Sequence, residues 1–358
     1  MRILHIDEQT GWRGGEQQAS YLIAGLVRRG HECIIAGRPG SEFLKRDHGA
    51  PDAPRLSLPM RGEADVISAW RLAASARKYG IDILHAHSSH AHALAILARA
   101  LGAHAKVVVT RRVDFVPKNH LFNRWKYRSP DFTVAISGLV QRILTRIGVP
   151  ESRLRVVYSS IDPARFDVEP LPRAAFGVPD DVPLLGNVAA LVGHKDHATL
   201  LSAMPAVLKA IPQLHLIIAG EGPLRPHLES QIATLGLGHA VHLLGYRNDV
   251  PQLLRTMDAF VMSSKEEGLG TSILDAMCCG IPVIATAGGA IPEIVKPGDT
   301  GYLAEARNPD SLAREIIIAF GNPLEMKRRA ECARSMVSES FSVDSMVEDY
   351  LRIYMQLM

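Results

Sequence analysis

The residues best placed to do chemistry lie between Ser263 and Gly289, in SSKEEGLGTSILDAMCCGIPVIATAGG. Two carboxylates, Glu267 and Asp275, frame a glycine-rich turn, Gly268-Leu269-Gly270-Thr271-Ser272, and the helix it opens. Eight residues is a little over two helical turns, so that spacing can set both acids roughly on one helical face. Glycines let a backbone approach a ligand closely, and a helix N-terminus offers free N–H groups and a positive dipole end. The combination suits a phosphorylated ligand whose other end carries hydroxyls that need acceptors.

Further candidates sit at predicted strand exits. Lys195, in ALVGHKD, can reach an anion as a point charge. Gly220-Glu221-Gly222-Pro223 and Gly245-Tyr246-Arg247-Asn248 each follow a strand, and loops at the same end of one sheet converge, so Gly222, Tyr246 and Arg247 are candidates for holding a nucleobase and ribose. Near the N-terminus, Gly11-Trp12-Arg13-Gly14-Gly15 joins strand to helix. It is not Gly-x-Gly-x-x-Gly and lacks the acidic partner of a dinucleotide site, so Gly14 and Gly15 read as an acceptor- or phosphate-touching turn. Arg111 and Arg112 end another strand, where paired guanidiniums suit phosphate, with surface ion pairing as the alternative. His85, His87, His90 and His92 alternate along HAHSSHAH. The first two belong to a strand end and the others to a helix, with no carboxylate or cysteine in company, so no metal is expected. One histidine instead is expected to hydrogen-bond a sugar hydroxyl. Neither a Walker loop nor an Asp-x-Asp metal signature is present.

These residues need a scaffold of alternating strands and helices, and the chain has that pattern. At 358 residues it suits two domains. Strands are predicted at 2–6, 32–37, 83–86, 106–110, 132–136 and 154–158. A second series follows at 184–189, 214–219, 241–244, 259–262, 282–285 and 301–303, with helices between. This predicts an α/β protein of two Rossmann-like, doubly wound units facing a cleft, residues 1–165 and 166–342. The proline-bearing stretch 162–181 reads as the linker. An amphipathic helix at 343–358 is expected to pack back on the first domain. The basic and aromatic run Asn119–Arg128 reads either as an acceptor- or membrane-contacting loop or as a solvated helix.

Composition is that of a soluble enzyme, 47% hydrophobic and 22% charged, without an apolar run long enough to span a bilayer or a signal-peptide core at the N-terminus. The four cysteines follow neither a metal-ligand nor a disulfide spacing, which favours a reducing cytoplasm. The net charge of +3 hides an asymmetry: residues 1–165 hold 25 Lys/Arg against 14 Asp/Glu, and the rest hold 15 against 23. A basic first half raises the expectation of an anionic partner, such as a phosphorylated lipid or peripheral contact with the inner-membrane surface, and nothing points to nucleic acid.

Taken together, these motifs resemble the family 4 retaining glycosyltransferases of the GT-B fold, and the resemblance covers nearly the whole chain. Ser263–Gly289 is similar to the pattern S-x-x-E-G-x-G-x-x-x-x-E-A-x-x-x-G-x-P-V-I-A-T-x-x-G-G, extended by Gly220–Pro223, Ala290–Val295 and Gly298–Leu303. The resemblance implies a nucleotide-sugar donor, most simply UDP-linked, and a cell-envelope glycan or glycolipid acceptor such as lipopolysaccharide core. It implies Glu267 at the donor sugar, Asp275 at the ribose, and Lys195, Gly270 and Thr271 at the diphosphate, with Gly268 and Leu269 in the same turn. Protein charge then replaces a divalent ion, and neither cofactor nor metal is needed. Three positions depart from the pattern: Asp275 stands for glutamate, Ala190 for the usual phosphate-binding arginine, and Arg112 for a frequent cleft histidine. His90 resembles a sugar-contacting histidine of glycogen synthases and joins Glu267 and Lys195 among the expected catalytic residues. A sugar-nucleotide epimerase of the same fold and a non-catalytic nucleotide-sugar-binding protein are the alternatives.

Overall fold

A computed structural model describes residues 1–118 and 121–358. The chain divides into two compact units, 1–160 with 343–358, and 161–342.

In the first unit, strands β1 (Arg2–Asp7), β2 (Glu32–Gly37), β3 (Arg55–Ser57), β4 (Ile83–Ala86), β5 (Lys106–Arg111), β6 (Phe132–Ala135) and β7 (Leu154–Val156) form one parallel sheet in the order 3-2-1-4-5-6-7. The central strands are buried after an exposed first residue, as in RILHID and KVVVTR, because helices cover both faces. The three-residue edge strand β3, with its outer residues exposed, was too short to show a period in the sequence.

The C-terminal helix Val343–Leu357 belongs to this unit and buries Met346, Val347, Tyr350, Leu351, Ile353 and Tyr354. Its dock on the helix Gly14–Arg28 depends on Gly25, where a Cβ would stand 2.3 Å from Val347 Cγ2. Tyr354 Oη lies 2.7 Å from His85 Nδ1, and Tyr350 Oη lies 2.8 Å from Thr110 Oγ1, so the helix is also held by buried polar pairs.

The second unit has strands β8 (Leu184–Val188), β9 (His215–Ala219), β10 (Val241–Gly245), β11 (Ala259–Met262), β12 (Val283–Thr286) and β13 (Tyr302–Ala304) in the order 10-9-8-11-12-13, again all parallel. The segment read as a linker is part of this unit's body. It forms two 3-10 turns, Pro163–Phe166 and Arg173–Phe176, and buries Phe166, Phe176 and Val178. Arg173 is anchored 2.7 Å from Asp258 Oδ1, and Leu171 N donates to Thr256 Oγ1 at 2.9 Å. The prolines there shape turns on a packed surface rather than a free connection. Among the described residues, no helix is long and apolar enough to cross a membrane.

Candidate active site

The strand order of the second unit reverses between β8 and β11. From β8 the chain winds one way to β9 and β10, and from β11 the other way to β12 and β13, so the loops after β8 and β11 part and leave a crevice at the carboxyl ends. Lys195 ends the loop after β8, in the 3-10 turn Gly193–Lys195, and Glu267 lies in the loop after β11. Nζ of Lys195 meets Glu267 Oε2 at 2.5 Å, with both side chains 15% exposed. Ser264 Oγ donates to the same oxygen at 3.2 Å. Two hydrogen bonds fasten the loops to each other: Ser263 Oγ donates to Lys195 O at 2.9 Å, and Lys265 N to His194 O at 2.9 Å.

The loop carrying Glu267 rests on Gly288 and Gly289. A Cβ at Gly288 would fall 1.9 Å from Ser264 O. One at Gly289, whose φ is +61°, would fall 2.2 Å from Glu267 O. Only glycine allows that approach. Thr286 Oγ1 donating to Ser264 O and Ala290 N donating to Glu267 O complete the support. The paired glycines at the end of the motif therefore back the acid rather than touch a ligand.

Glu267 is not on the helix. The helix runs Thr271–Cys278, with Gly270 as its cap at φ +95° and no side-chain cap. The one-face argument from the eight-residue spacing therefore fails, because loop geometry and not helical periodicity places the acid. The stem of Glu267 instead lies against Gly270, where a Cβ would be 3.5 Å from Glu267 Cγ. An acid, a lysine and an uncapped helix N-terminus thus converge. Among the described residues, the N–H groups of Thr271 and Ser272 have no backbone partner, and they remain open to an anion.

Asp275 is one turn further along that helix and partly buried. Burial pushes its carboxyl up to about 6, against the opposing pull of Arg165. Gly220 and Gly222 cross directly over the loop after β8: their Cβ atoms would fall 1.9 Å from Ala189 O and 2.4 Å from Leu191 O. Gly220 N donates to Gly245 O at 2.8 Å, so the loops after β8, β9 and β10 are knitted at one sheet end.

Two family models match the chain almost end to end: Glycosyltransferase Family 4 over residues 12–165 and Glycosyl transferases group 1 over residues 169–336. The chain belongs to the family 4 type of GT-B glycosyltransferases.

Its relatives include N-acetyl-alpha-D-glucosaminyl L-malate synthase of Bacillus anthracis, 27% identical over 301 residues that span 81% of this chain and 78% of the relative. Another is the lipopolysaccharide core biosynthesis glycosyltransferase LpsE of Rhizobium meliloti, 24% identical over 341 residues and 95% of each chain. Among solved structures, a Rickettsia africae glycosyltransferase matches with a TM-score of 0.87 at 23% identity, covering 99% of this chain and 98% of its own. Anabaena HepE in complex with UDP and glucose matches at 0.86 and 21% identity, covering 99% and 100%.

Other expected site residues of this glycosyltransferase are placed less simply. The side chain of Leu269 is buried, so only its backbone can face a donor. Tyr246 is exposed, but Arg247 is held by both oxygens of Asp249 and lies over the Phe176 ring, so its charge is already matched.

In the first unit, Arg111, the last residue of β5, and Arg112, the first of the following loop, part company. Arg111 is buried, 2.5 Å from Tyr127 Oη, with a further bond to Phe115 O, and lies over both rings. It braces its own loop, with the nearby Asp114 carboxylate acting on its charge, and its burial keeps it from standing open to phosphate. Arg112 turns the other way, and its stem lies 3.3 Å from where a Gly15 Cβ would be, at the N-terminal turn of the helix Gly14–Arg28. Gly15 and Arg112 thus lie side by side.

The histidines divide too. His90, on the first turn of the helix Ser89–Ala100, is half-exposed with Nδ1 3.8 Å from Glu8 Oε1. His92 is buried and donates from Nε2 to Lys126 O at 2.9 Å. His85 and His87 are buried beside His5, which the sequence reading missed because β1 and β4 pair in register only in the sheet. Ligand atoms of these three lie within 4.8 Å of one another, a spacing a metal could bridge. However, both His85 nitrogens are occupied, by Thr110 and Tyr354, His87 bonds His5 at 3.0 Å, and the Arg112 cation acts on His87. A set of neutral imidazoles with no carboxylate, facing an arginine, fits a buried hydrogen-bond network better than a cation site.

Another acid the sequence did not flag is Glu8, just after β1. Buried, it accepts from Ser88 Oγ and from Ala91 N at 3.3 Å, and so caps the helix after β4 at this sheet's own reversal point. Asn119 and His120 lie outside the described residues, and Leu121–Arg128 is a helix.

Proposed function

We propose that this glycosyltransferase moves a sugar from a nucleotide-sugar donor, in the simplest case UDP-linked, to a cell-envelope glycan or glycolipid of the lipopolysaccharide-core kind, with retention of anomeric configuration and without a metal ion. The observation that carries the reading is the Lys195–Glu267 pair at the switch point, against an open helix N-terminus. The donor diphosphate sits at the N–H groups of Thr271 and Ser272 with Lys195 as counter-charge, which supplies electrostatically what a divalent ion would. Oε1 of Glu267, which has no hydrogen bond among the described residues, accepts from donor-sugar hydroxyls and offsets positive charge at the anomeric carbon. Asp275 accepts from ribose hydroxyls. The bond from the anomeric carbon to the diphosphate oxygen breaks as the acceptor hydroxyl bonds on the same face, and the acceptor's proton passes to the leaving phosphate. In the first unit, Arg112 with Gly14 and Gly15 is available to an acceptor, and half-exposed His90 to a sugar hydroxyl.

That Anabaena HepE was crystallised with UDP and glucose, and that LpsE serves lipopolysaccharide core synthesis, supports the choice of donor and acceptor class. The basic balance of residues 1–165 supports an anionic, membrane-held acceptor and a place at the cytoplasmic face of the inner membrane.

The deciding experiment offers a panel of nucleotide sugars with and without glycolipid acceptors in chelator, and reads product mass and anomeric configuration. Transfer that survives chelation and is lost in Glu267→Ala supports the reading. Product formed from the donor alone would identify an epimerase, and tight binding without turnover a non-catalytic protein.

A further inference from the structure

The parallel topology of the first unit sends the segments after β3, β4 and β5 to the carboxyl end of its sheet. Two of them leave large apolar side chains in solvent. On the loop after β5 and the helix Leu121–Arg128, Phe115, Val116, Leu121 and Trp125 are exposed, Leu121 by 83% and Val116 by 69%. On the first turns of the helix Val66–Tyr79, Ile67 and Trp70 are 63% and 57% exposed. The ion pair of Lys126 Nζ with Glu63 Oε1 at 2.5 Å, joined by Ser89 Oγ at 2.9 Å, ties these segments together.

Single exposed hydrophobics need no explanation, but a cluster on one rim does. The helix Leu121–Arg128 has a divided surface: Lys126 and Tyr127 face inward, while Leu121, Arg124, Trp125 and Arg128 face out. Exposed Arg71, Lys118, Arg124 and Arg128 flank the apolar side chains, and among the described residues none of the four is in an ion pair. Residues 61–71 and 111–128 together carry eight Lys/Arg against three Asp/Glu. Tryptophan and leucine beside unpaired cations match the boundary between acyl chains and anionic headgroups.

We infer that this rim docks the glycosyltransferase on an anionic bilayer surface, with Leu121 and Trp125 entering the headgroup layer and Lys118 and Arg124 pairing with lipid phosphates. The inference deepens the proposed function, resting on it for the acceptor's place at the membrane and on the surface alone for the contact. The test is sedimentation of the full chain with vesicles of phosphatidylcholine, alone or with about a third phosphatidylglycerol, at low and high salt.

Binding is expected only to the anionic vesicles and should fall with salt. Leu121→Glu with Trp125→Glu should weaken it at least tenfold. Lys118→Glu with Arg124→Glu should weaken it on the order of tenfold or more, since each surface charge is worth about 1 kcal/mol there. Both variants should keep their melting temperature and their transfer to a water-soluble acceptor. Failure of the unaltered chain to bind, binding unchanged in both variants, or a concentration-dependent dimer that the variants dissolve would overturn the assignment. Vesicle binding lost while soluble transfer persists separates this surface from the catalytic reading, and transfer absent in the unaltered chain sinks that reading alone.

Discussion

Lys195 and Glu267 are 72 positions apart in the chain, yet their charged ends meet at 2.5 Å where two loops of the second unit part. The contact neutralises a partly buried acid in the absence of donor and keeps a cation beside an open helix N-terminus. On the proposed reading, a donor diphosphate competes for the lysine and releases the carboxylate toward the sugar.

Removing either partner should leave the other charge partly buried and unmatched, at a cost of about 1–3 kcal/mol in urea unfolding. Glu267→Ala should also lower kcat by about 100-fold or more, as expected for loss of a group that offsets transition-state charge. The double variant Lys195→Met with Glu267→Gln should regain most of the stability and none of the activity. Recovery of both together would show that the pair is only structural.

Gly289→Ala should act on the same site from behind. The added methyl collides with Glu267 O, and the left-handed φ of +61° adds about 1 kcal/mol of strain. A fall of several degrees in Tm with a tenfold or greater rise in donor Kd is expected. Gly193→Ala, which meets nothing within 4 Å, serves as the control. Equal effects at the two positions would refute the supporting role of the glycine pair.

The raised pKa of Asp275 has a defined sign. Its folded value of about 6 lies above the ordinary 3.8, so the folded state holds this proton longer than the unfolded chain does. Its contribution to stability is fully present below about pH 4, falls as pH rises to about 6, and is level above that. Donor affinity should move oppositely, strengthening through pH 6 as the carboxylate becomes a better acceptor. Asp275→Asn should flatten both dependences, measured by urea unfolding and by calorimetry with a nucleotide sugar. An Asn variant that keeps the wild-type pH profile would assign the titration elsewhere.

Tyr354→Phe should destabilise the first unit by about 1–3 kcal/mol, because His85 Nδ1 loses its buried partner. Gly25→Ala should do so through packing, since its methyl meets Val347. Both should weaken the seat of the C-terminal helix, seen as faster hydrogen exchange across Val343–Leu357. Unchanged exchange there would mean that apolar contacts alone hold the helix.

Much of the scaffold was legible because parallel strands covered on both faces are continuous β-branched runs bounded by glycine, and such runs need no tertiary information. Glu32–Gly37, Ile83–Ala86 and Ala259–Met262 fall where predicted. Ser137, a residue type suited to a helix start, caps the helix Gly138–Arg146 by accepting from Val140 N at 3.3 Å. Three exposed-edge residues at Arg55–Ser57 carried no periodic signal, and the prolines of 162–181 looked like a linker because turn chemistry is the same whether a turn is packed or free.

By itself, then, the sequence determined the alternation of elements, the glycine turn before a helix, and the residue types that suit a phosphorylated sugar donor. Tertiary structure alone decided which of those residues meet. It set Lys195 against Glu267, turned Arg111 away while Arg112 faced the first glycine turn, and gathered His5 with His85 and His87. Strand order, loop ties and the sign of each side chain's exit from its strand govern such encounters, and all three are long-range consequences of packing that local spacing does not encode.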